Sequence, residues 1–409
     1  MATPTPTVEI GFIGPAFDNA FTLDDAVKGK LDSVDYVLSG TEIMADLTDR
    51  CVSFTTRRGR DDWTQPFSPG SAKLLFRNID GALDPLNTSS AYYPGITVGR
   101  TVTIKCNGHF IYSGLVEDIA LGYDTGGDAW VTVVAEDQSS ELGLRSLTSG
   151  TAFSEQTSGP RVSAVLANAN IDYAGATGVA AGYSTLASET LGADINAVQY
   201  LQQVSNSEQG YLYVNRSGVM TFENRFGPLV SGSTLTFSDD GSDVPYQEIN
   251  RNLVSAELFN RLTANRTGAG TVTANDTSSQ GSYGIRLLPV GELLVTTDAE
   301  VTNVLEFLMV QTASTEVRIN SLTTVLDTQA SGTQNTIAQL ELADAVTVEF
   351  TPPGVAQHST VGTLQEIAHA YTVGETWRCT LGMTPRDTTS YLMLNDATLG
   401  RLDYNSLGF

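Results

Sequence analysis

The chain has 409 residues, enough for two to four domains with real cores. It carries 22 Lys and Arg against 46 Asp and Glu, a formal net charge of −24. That balance excludes a surface built to grip nucleic acid, and no Lys/Arg cluster offers a hold on an anionic membrane. Cys51, Cys106 and Cys379 are odd in number and far apart, which argues against a disulfide framework, and no CxxC spacing points to zinc. The opening MATPTPTVEIGF has neither a basic n-region nor an apolar run, so it reads as no signal peptide. No apolar stretch is long enough to span a bilayer. The expectation is assembly in a reducing cytoplasm, without membrane anchoring.

Residues 1–50 read as an N-terminal arm. It contains Leu23-Asp24-Asp25-Ala26-Val27-Lys28-Gly29-Lys30-Leu31-Asp32, and the far end of the chain contains Leu394-Asn395-Asp396-Ala397-Thr398-Leu399-Gly400-Arg401-Leu402-Asp403. Eight of ten positions agree in the pattern L-[DN]-D-A-x-x-G-[KR]-L-D. Two copies make no solenoid. They read as a pair of docking segments, with Asp24, Asp25, Asp396 and Asp403 as contact candidates; the alternative is a plain Asp-capped, Gly-reversed turn.

Residues 51–147 read as short strands with turns between them, a first β-barrel or sandwich. Ser71–Phe76, Thr101–Lys105 and Val131–Ala135 alternate as half-buried strands. Asn78-Ile79-Asp80-Gly81 is a turn, and Leu83 to Ser90 is too rich in Pro and small polar residues for either regular element. Residues 148–225 read as a small α+β insert. Helices are predicted over Arg161–Ala167 and Ala193–Glu208, the second capped by Asp194 and stopped by Gly210. A hairpin follows over Tyr211–Phe222. Residues 226–409 return to strands, with candidates at Leu235–Phe237, Leu253–Leu258, Gly270–Ala274, Gly362–Tyr371, Thr376–Met383 and Tyr391–Leu394. A helix capped by Asp298 is predicted over Asp298–Ala313. The fold class is mainly β with an α+β insert: two β-barrel-like domains flanking a small α+β domain.

No catalytic set emerges. His109 lies in a hairpin tip, His358 in a Pro/Gly loop and His369 in a strand. No G-x-S-x-G or H-E-x-x-H occurs. Tyr123–Asp128 and Ser238–Asp243 look like calcium loops but lack the spacing that ends in a bidentate Glu, so hairpin turns are expected. Arg57-Arg58-Gly59-Arg60 is the one basic run, too short for nucleic acid and suited to salt bridges. Catalytic, metal and cofactor sites are therefore all read as none.

The order of pieces resembles the minor tail proteins of long-tailed bacteriophages. The resemblance runs through Arg58, Gly59 and Arg60, then Gly70, Asn78, Asp80, Gly81, Asp84, Pro85, Asn87, Ser90, Tyr92 and Tyr93, then Gly99-Arg100, Tyr112, Gly114, Ala135 and Asp137. Glu208, Gly210, Tyr213, Gly218 and Phe222 are similar to a hub signature of contractile and long flexible tails, and Ser282–Arg286 is similar to another element of the same proteins. The resemblance implies a structural protein of the virion, a tail-tip hub, usually a homotrimer of two related barrels per chain. It implies as partners a distal tail protein, a tape measure protein and tip or receptor-binding proteins, with DNA only in transit. Arg58, Arg60, Asp84, Pro85, Asn87, Tyr92 and Tyr93 become candidates for assembly contacts. A hexameric distal tail ring and a host-binding or cell-wall-degrading tip protein are the alternatives.

Overall fold

A computed structural model describes residues 3–13, 25–26, 29, 42–61, 65–173, 178–230, 232–253, 255, 257–314, 318–385, 391–392 and 406–407. Asp24, Asp396 and Asp403, and most of the two end segments, lie outside the described residues.

The chain is mainly β, with a fourteen-stranded sheet as its largest part. The N-terminal half of that sheet follows the order Cys51–Gly59, Ser68–Arg77, Ala129–Glu136, His109–Tyr123, Thr101–Cys106, Pro6–Phe12. Alternation explains these strands: along Ser68–Arg77 every second side chain is buried from Gly70 to Phe76. The tight reversal between 101–106 and 109–123 is an Asn107-Gly108 turn with both residues at positive φ, the geometry that two-residue hairpins favour.

The C-terminal half repeats the arrangement. Its order is Glu248–Asn252, Arg318–Val325, Arg378–Pro385, His358–Thr372, Ala345–Phe350, Ser233–Ser238. The registers also match. Arg77 faces Trp130 and Leu115 faces Glu136 in one array; Val325 faces Arg378 and Thr363 faces Thr384 in the other. The long strand of each array has a register shift at the same place, between Val116 and Asp118 and between Leu364 and Glu366. One difference remains: the outer strand runs antiparallel to its neighbour in the first array and parallel in the second. The two arrays join where Glu366–Thr372 pairs with Ser53–Gly59. One core underlies both, with Trp377, Phe54, Phe76 and Phe237 fully buried.

Gly114 and Gly362 occupy equivalent positions, opposite Val102 and Val346. A Cβ on Gly114 would lie 2.4 Å from the backbone oxygen of Glu136, whereas one on Gly362 meets the flexible Met383 side chain at 2.8 Å. Gly114→Ala is therefore expected to cost about 1–3 kcal/mol and Gly362→Ala clearly less, by urea denaturation. Equal costs would refute the difference in environment.

A second core is built from the insert together with residues 259–309. It contains helices Ser158–Leu166 and Ala197–Glu208, the hairpin Tyr211–Val214 with Met220–Glu223, a three-stranded sheet (Thr271–Asn275, Arg261–Arg266, Leu287–Leu293) and helix Asp298–Thr312. Several local expectations need correction. The 197–208 helix is capped by Asn196, whose side chain accepts from the Val198 and Gln199 amides, and Gln209 in the left-handed region ends it. Asp194 sits three residues before the helix and accepts from the Ser149 amide at 2.7 Å instead. Thr297, not Asp298, caps the 298–312 helix; Glu300 reaches back to the Thr296 amide, and Asp298 pairs with Arg266 at 2.9 Å. The strand ends at Asn252, and among the described residues of the candidate strand over 253–258 none is in a strand. Ser282 and Tyr283 end a short helix, Thr277–Tyr283.

Candidate assembly surface

The basic run divides its labour along one strand. Arg57 makes a two-pronged pair with Glu366 (Nε–Oε1 and Nη2–Oε2, both 3.0 Å) across the junction of the arrays. Arg58 points into the protein, is only 3% exposed, and bonds Glu341 through Nη1. The other Glu341 oxygen accepts from the Arg216 amide at 2.9 Å, so this one carboxylate ties the first array to the insert hairpin. Arg60 donates to Gln365 Oε1 at 2.7 Å and to the Gln65 carbonyl at 2.9 Å, and its guanidinium lies 4.4 Å from the Phe67 ring centroid. That stack borders a cleft of about 200 Å³ between the two cores, lined also by Tyr211, Leu212, Phe307 and Pro385. Among the described residues lining it there is no His, Cys, Asp or Glu.

The loop from Asn78 to Arg100 holds its own shape. Asn78 Oδ1 accepts from the Leu83 amide (2.8 Å), Asp84 Oδ1 from the Leu86 amide (2.8 Å), and Asn87 Nδ2 donates to the Gly81 carbonyl (2.9 Å). Ser90 Oγ donates to the Ala82 carbonyl and accepts from the Tyr92 amide. Arg50 grips Asp80 with both nitrogens, at 2.8 and 2.6 Å, and that hydrogen bonding lowers the Asp80 carboxyl to about 2. Tyr92 stacks on Phe12 at 4.7 Å. The polar motif residues are thus internal fasteners, with Pro85 half-buried between them. Leu86 (88% exposed), Ile79 (59%), Val98 (57%) and Tyr93 (37%), the last preceding a cis Pro94, are the large apolar side chains the loop shows to the outside. Asp25 is exposed, and its carbonyl accepts from the Gly29 amide at 2.9 Å.

Thus the structure brings Arg58 and Arg60 to the inter-core region and gathers Asp84, Pro85, Asn87, Tyr92 and Tyr93 in one loop. The two sets are separate features, one buried and one partly exposed. In the acidic turns that look like calcium loops, Asp124 accepts from the Gly126 and Asp128 amides and Asp240 from the Ser242 amide, while Asp239 accepts from the Thr351 amide at 2.7 Å. His369 is buried, and burial pushes its imidazole down to about 3. Sequence reading missed two exposed strand segments, Glu117–Tyr123 and Glu248–Asn252. The first was signalled by the uninterrupted run GLVEDIALGY, too long for a strand covered along its whole length.

No protein-family model matches the chain, and no curated protein matches it. Solved structures match in fold. The tail protein from Neisseria meningitidis MC58 is 11% identical, with 93% of this chain and 97% of that one covered and a TM-score of 0.60. The 43 kDa tail protein of prophage MuSo2 from Shewanella oneidensis is 12% identical, with 94% and 99% covered and a TM-score of 0.58. Prophage tail protein gp18 from Listeria monocytogenes EGD-e is 11% identical, with 85% and 92% covered and a TM-score of 0.51. These three neighbours in fold are tail proteins, two of them from prophages, and this chain has their fold.

Proposed function

We propose that this protein is a structural component of a phage tail tip. It acts as a hub that oligomerises to close the distal end of the tail tube and links the tube to tip proteins, with DNA passing through its channel. The observation that carries this reading is the six-strand array present twice in one chain, in the same order and with the same register shift. Two equivalent arrays per chain let three copies present six equivalent positions to a six-fold tube. A formal net charge of −24 suits a wall that DNA must pass without adhering. Leu86 and Tyr93 on the 83–95 loop are available for contact with a neighbouring protein, and the partners expected are a distal tail protein, a tape measure protein and tip or receptor-binding proteins. The units proposed are the arm (1–50), a first barrel (51–147), the α+β insert (148–225) and a second barrel (226–409), with part of the last unit packed against the insert.

Absolute mass in solution, followed by class averages in the electron microscope, tests the reading. The expected result is a trimer seen as a ring with three-fold symmetry and an open centre. A ring of six chains would replace the hub with a distal tail ring, and a chain that stays monomeric at high concentration would remove the ring altogether.

A further inference from the structure

The pairing that joins the two arrays within one chain has an unfilled counterpart. In the chain, the far half of the long strand, Glu366–Thr372, lies antiparallel to Ser53–Gly59, the edge strand of the other array. By register, the residues equivalent to 366–371 are 118–123, because Ala370 faces Arg378 where Gly122 faces Trp130. The strand equivalent to Cys51–Gly59 is Glu248–Asn252: Phe54 sits opposite Leu74 as Ile249 sits opposite Leu322. Among the described residues, no strand lies along the outer edge of 118–123, and Glu248–Asn252 pairs only with Arg318–Val325.

Part of the side-chain template is kept, while the register shift between Asn250 and Arg251 leaves 249–251 one residue shorter than 54–57. Arg57 pairs with Glu366 in the chain. The residue in the position of Arg57 is Arg251, opposite Ile319 as Arg57 is opposite Ser71, and the residue in the position of Glu366 is Asp118. Both are exposed. Tyr371 stacks on Phe54 at 5.1 Å. Its equivalent, Tyr123, is 83% exposed. Leu121 beside it is 42% exposed. An open edge with apolar side chains and free backbone groups invites pairing with another strand.

We infer that Glu117–Tyr123 of one copy pairs antiparallel with Glu248–Asn252 of the next, repeating between chains the junction that Glu366–Thr372 and Ser53–Gly59 make within one. Each copy carries one edge of each kind, so the contact is head-to-tail, and it makes a ring where the rotation from copy to copy closes. Asp118 meets Arg251. The inference rests on the ring reading above and names the contact that makes the ring.

Two experiments test it on the full chain. In Ala120→Cys with Arg251→Cys, the new cysteines face each other as Ala368 faces Arg57 in the chain, while the three native cysteines are buried. Mild oxidation is expected to give covalent dimer and trimer bands that neither single variant gives. Separately, Asp118→Arg and Arg251→Asp should each weaken assembly about tenfold or more, and the double reversal should restore it. An oligomer of unchanged mass with no cross-link and no response to charge reversal would overturn this contact while leaving the ring. A wild-type chain that is monomeric and does not cross-link would overturn both.

Discussion

Glu208→Ala is expected to cost about 3–5 kcal/mol of stability, since a buried ion pair that loses one member leaves the other charge without compensation. Glu208 is fully buried at the end of the 197–208 helix. Its Oε2 accepts from Ser158 Oγ (2.9 Å) and from the Tyr183 and Ser184 amides (3.0 and 2.7 Å), and its Oε1 faces Arg225 Nε at 3.4 Å. Arg225, itself buried, also donates to Ser184 Oγ. One carboxylate thereby fixes the start of one helix, the end of another and the segment between. Glu208→Gln keeps the size but turns an acceptor into a donor facing backbone amides, so a smaller loss of about 1–3 kcal/mol is expected. The three longest helices all belong to this second core, whereas Trp377 reports on the first. Urea denaturation should show the larger shift in the helical circular dichroism signal and the smaller in Trp377 fluorescence. A loss below about 1 kcal/mol for the alanine variant would show that water or a neighbour replaces the carboxylate.

The same glutamate shows how far the sequence carries. Gly210 stands out as the stop between a helix and a hairpin, whereas Glu208 and Phe222 are picked out by the resemblance to tail hubs. Gly210 is fixed by packing: a Cβ there would lie 2.6 Å from the Glu223 carbonyl. Spacing does not tell that the carboxylate is buried or that Arg225 faces it. The loop after Asn78 is legible for a similar reason. Short polar residues hydrogen-bond their own backbone, so its Asn, Asp and Ser positions are local information.

The caps are less legible. Asp194 and Asn196, like Thr297 and Asp298, are all competent caps, and only the tertiary path of the chain chooses between neighbours. Glu248–Asn252 escapes notice because EINRN carries one apolar residue and exposes most of its length, so propensity and alternation are both silent. The correspondence of the two arrays is hidden for a deeper reason. Register is set by backbone hydrogen bonds and the pleat, which many side chains satisfy. Arg57 and Arg251, or Glu366 and Asp118, become comparable only when the pairing is known.

Arg58→Met is expected to cost about 3–5 kcal/mol near neutral pH and clearly less at pH 5. The guanidinium is buried beside Glu341, whose other oxygen holds the Arg216 amide, so its removal strips a charge partner from the seam between the first array and the insert. Three further groups feel it. Burial raises the Asp137 and Asp344 carboxyls above the usual range, and Arg58 acts against that rise. Burial lowers His369 to about 3, with Arg58 adding to the fall. A carboxyl raised in the fold costs stability while ionised, and that cost fades as pH falls and the folded chain takes up the proton first. Without Arg58 both carboxyls rise further, so the variant is penalised most where they are ionised. A lowered histidine costs stability as pH falls below its ordinary 6.5, when only the unfolded chain gains the proton. Without Arg58 that acid penalty shrinks. Both effects move the same way: the gap between wild type and variant should narrow from pH 8 to pH 5, read from urea midpoints. Adding Glu341→Gln should recover part of the loss at pH 8, since the amide oxygen still accepts from Arg216 and no charge is left stranded. A gap independent of pH would mean that Arg58 acts through packing of its alkyl stem and not through its charge.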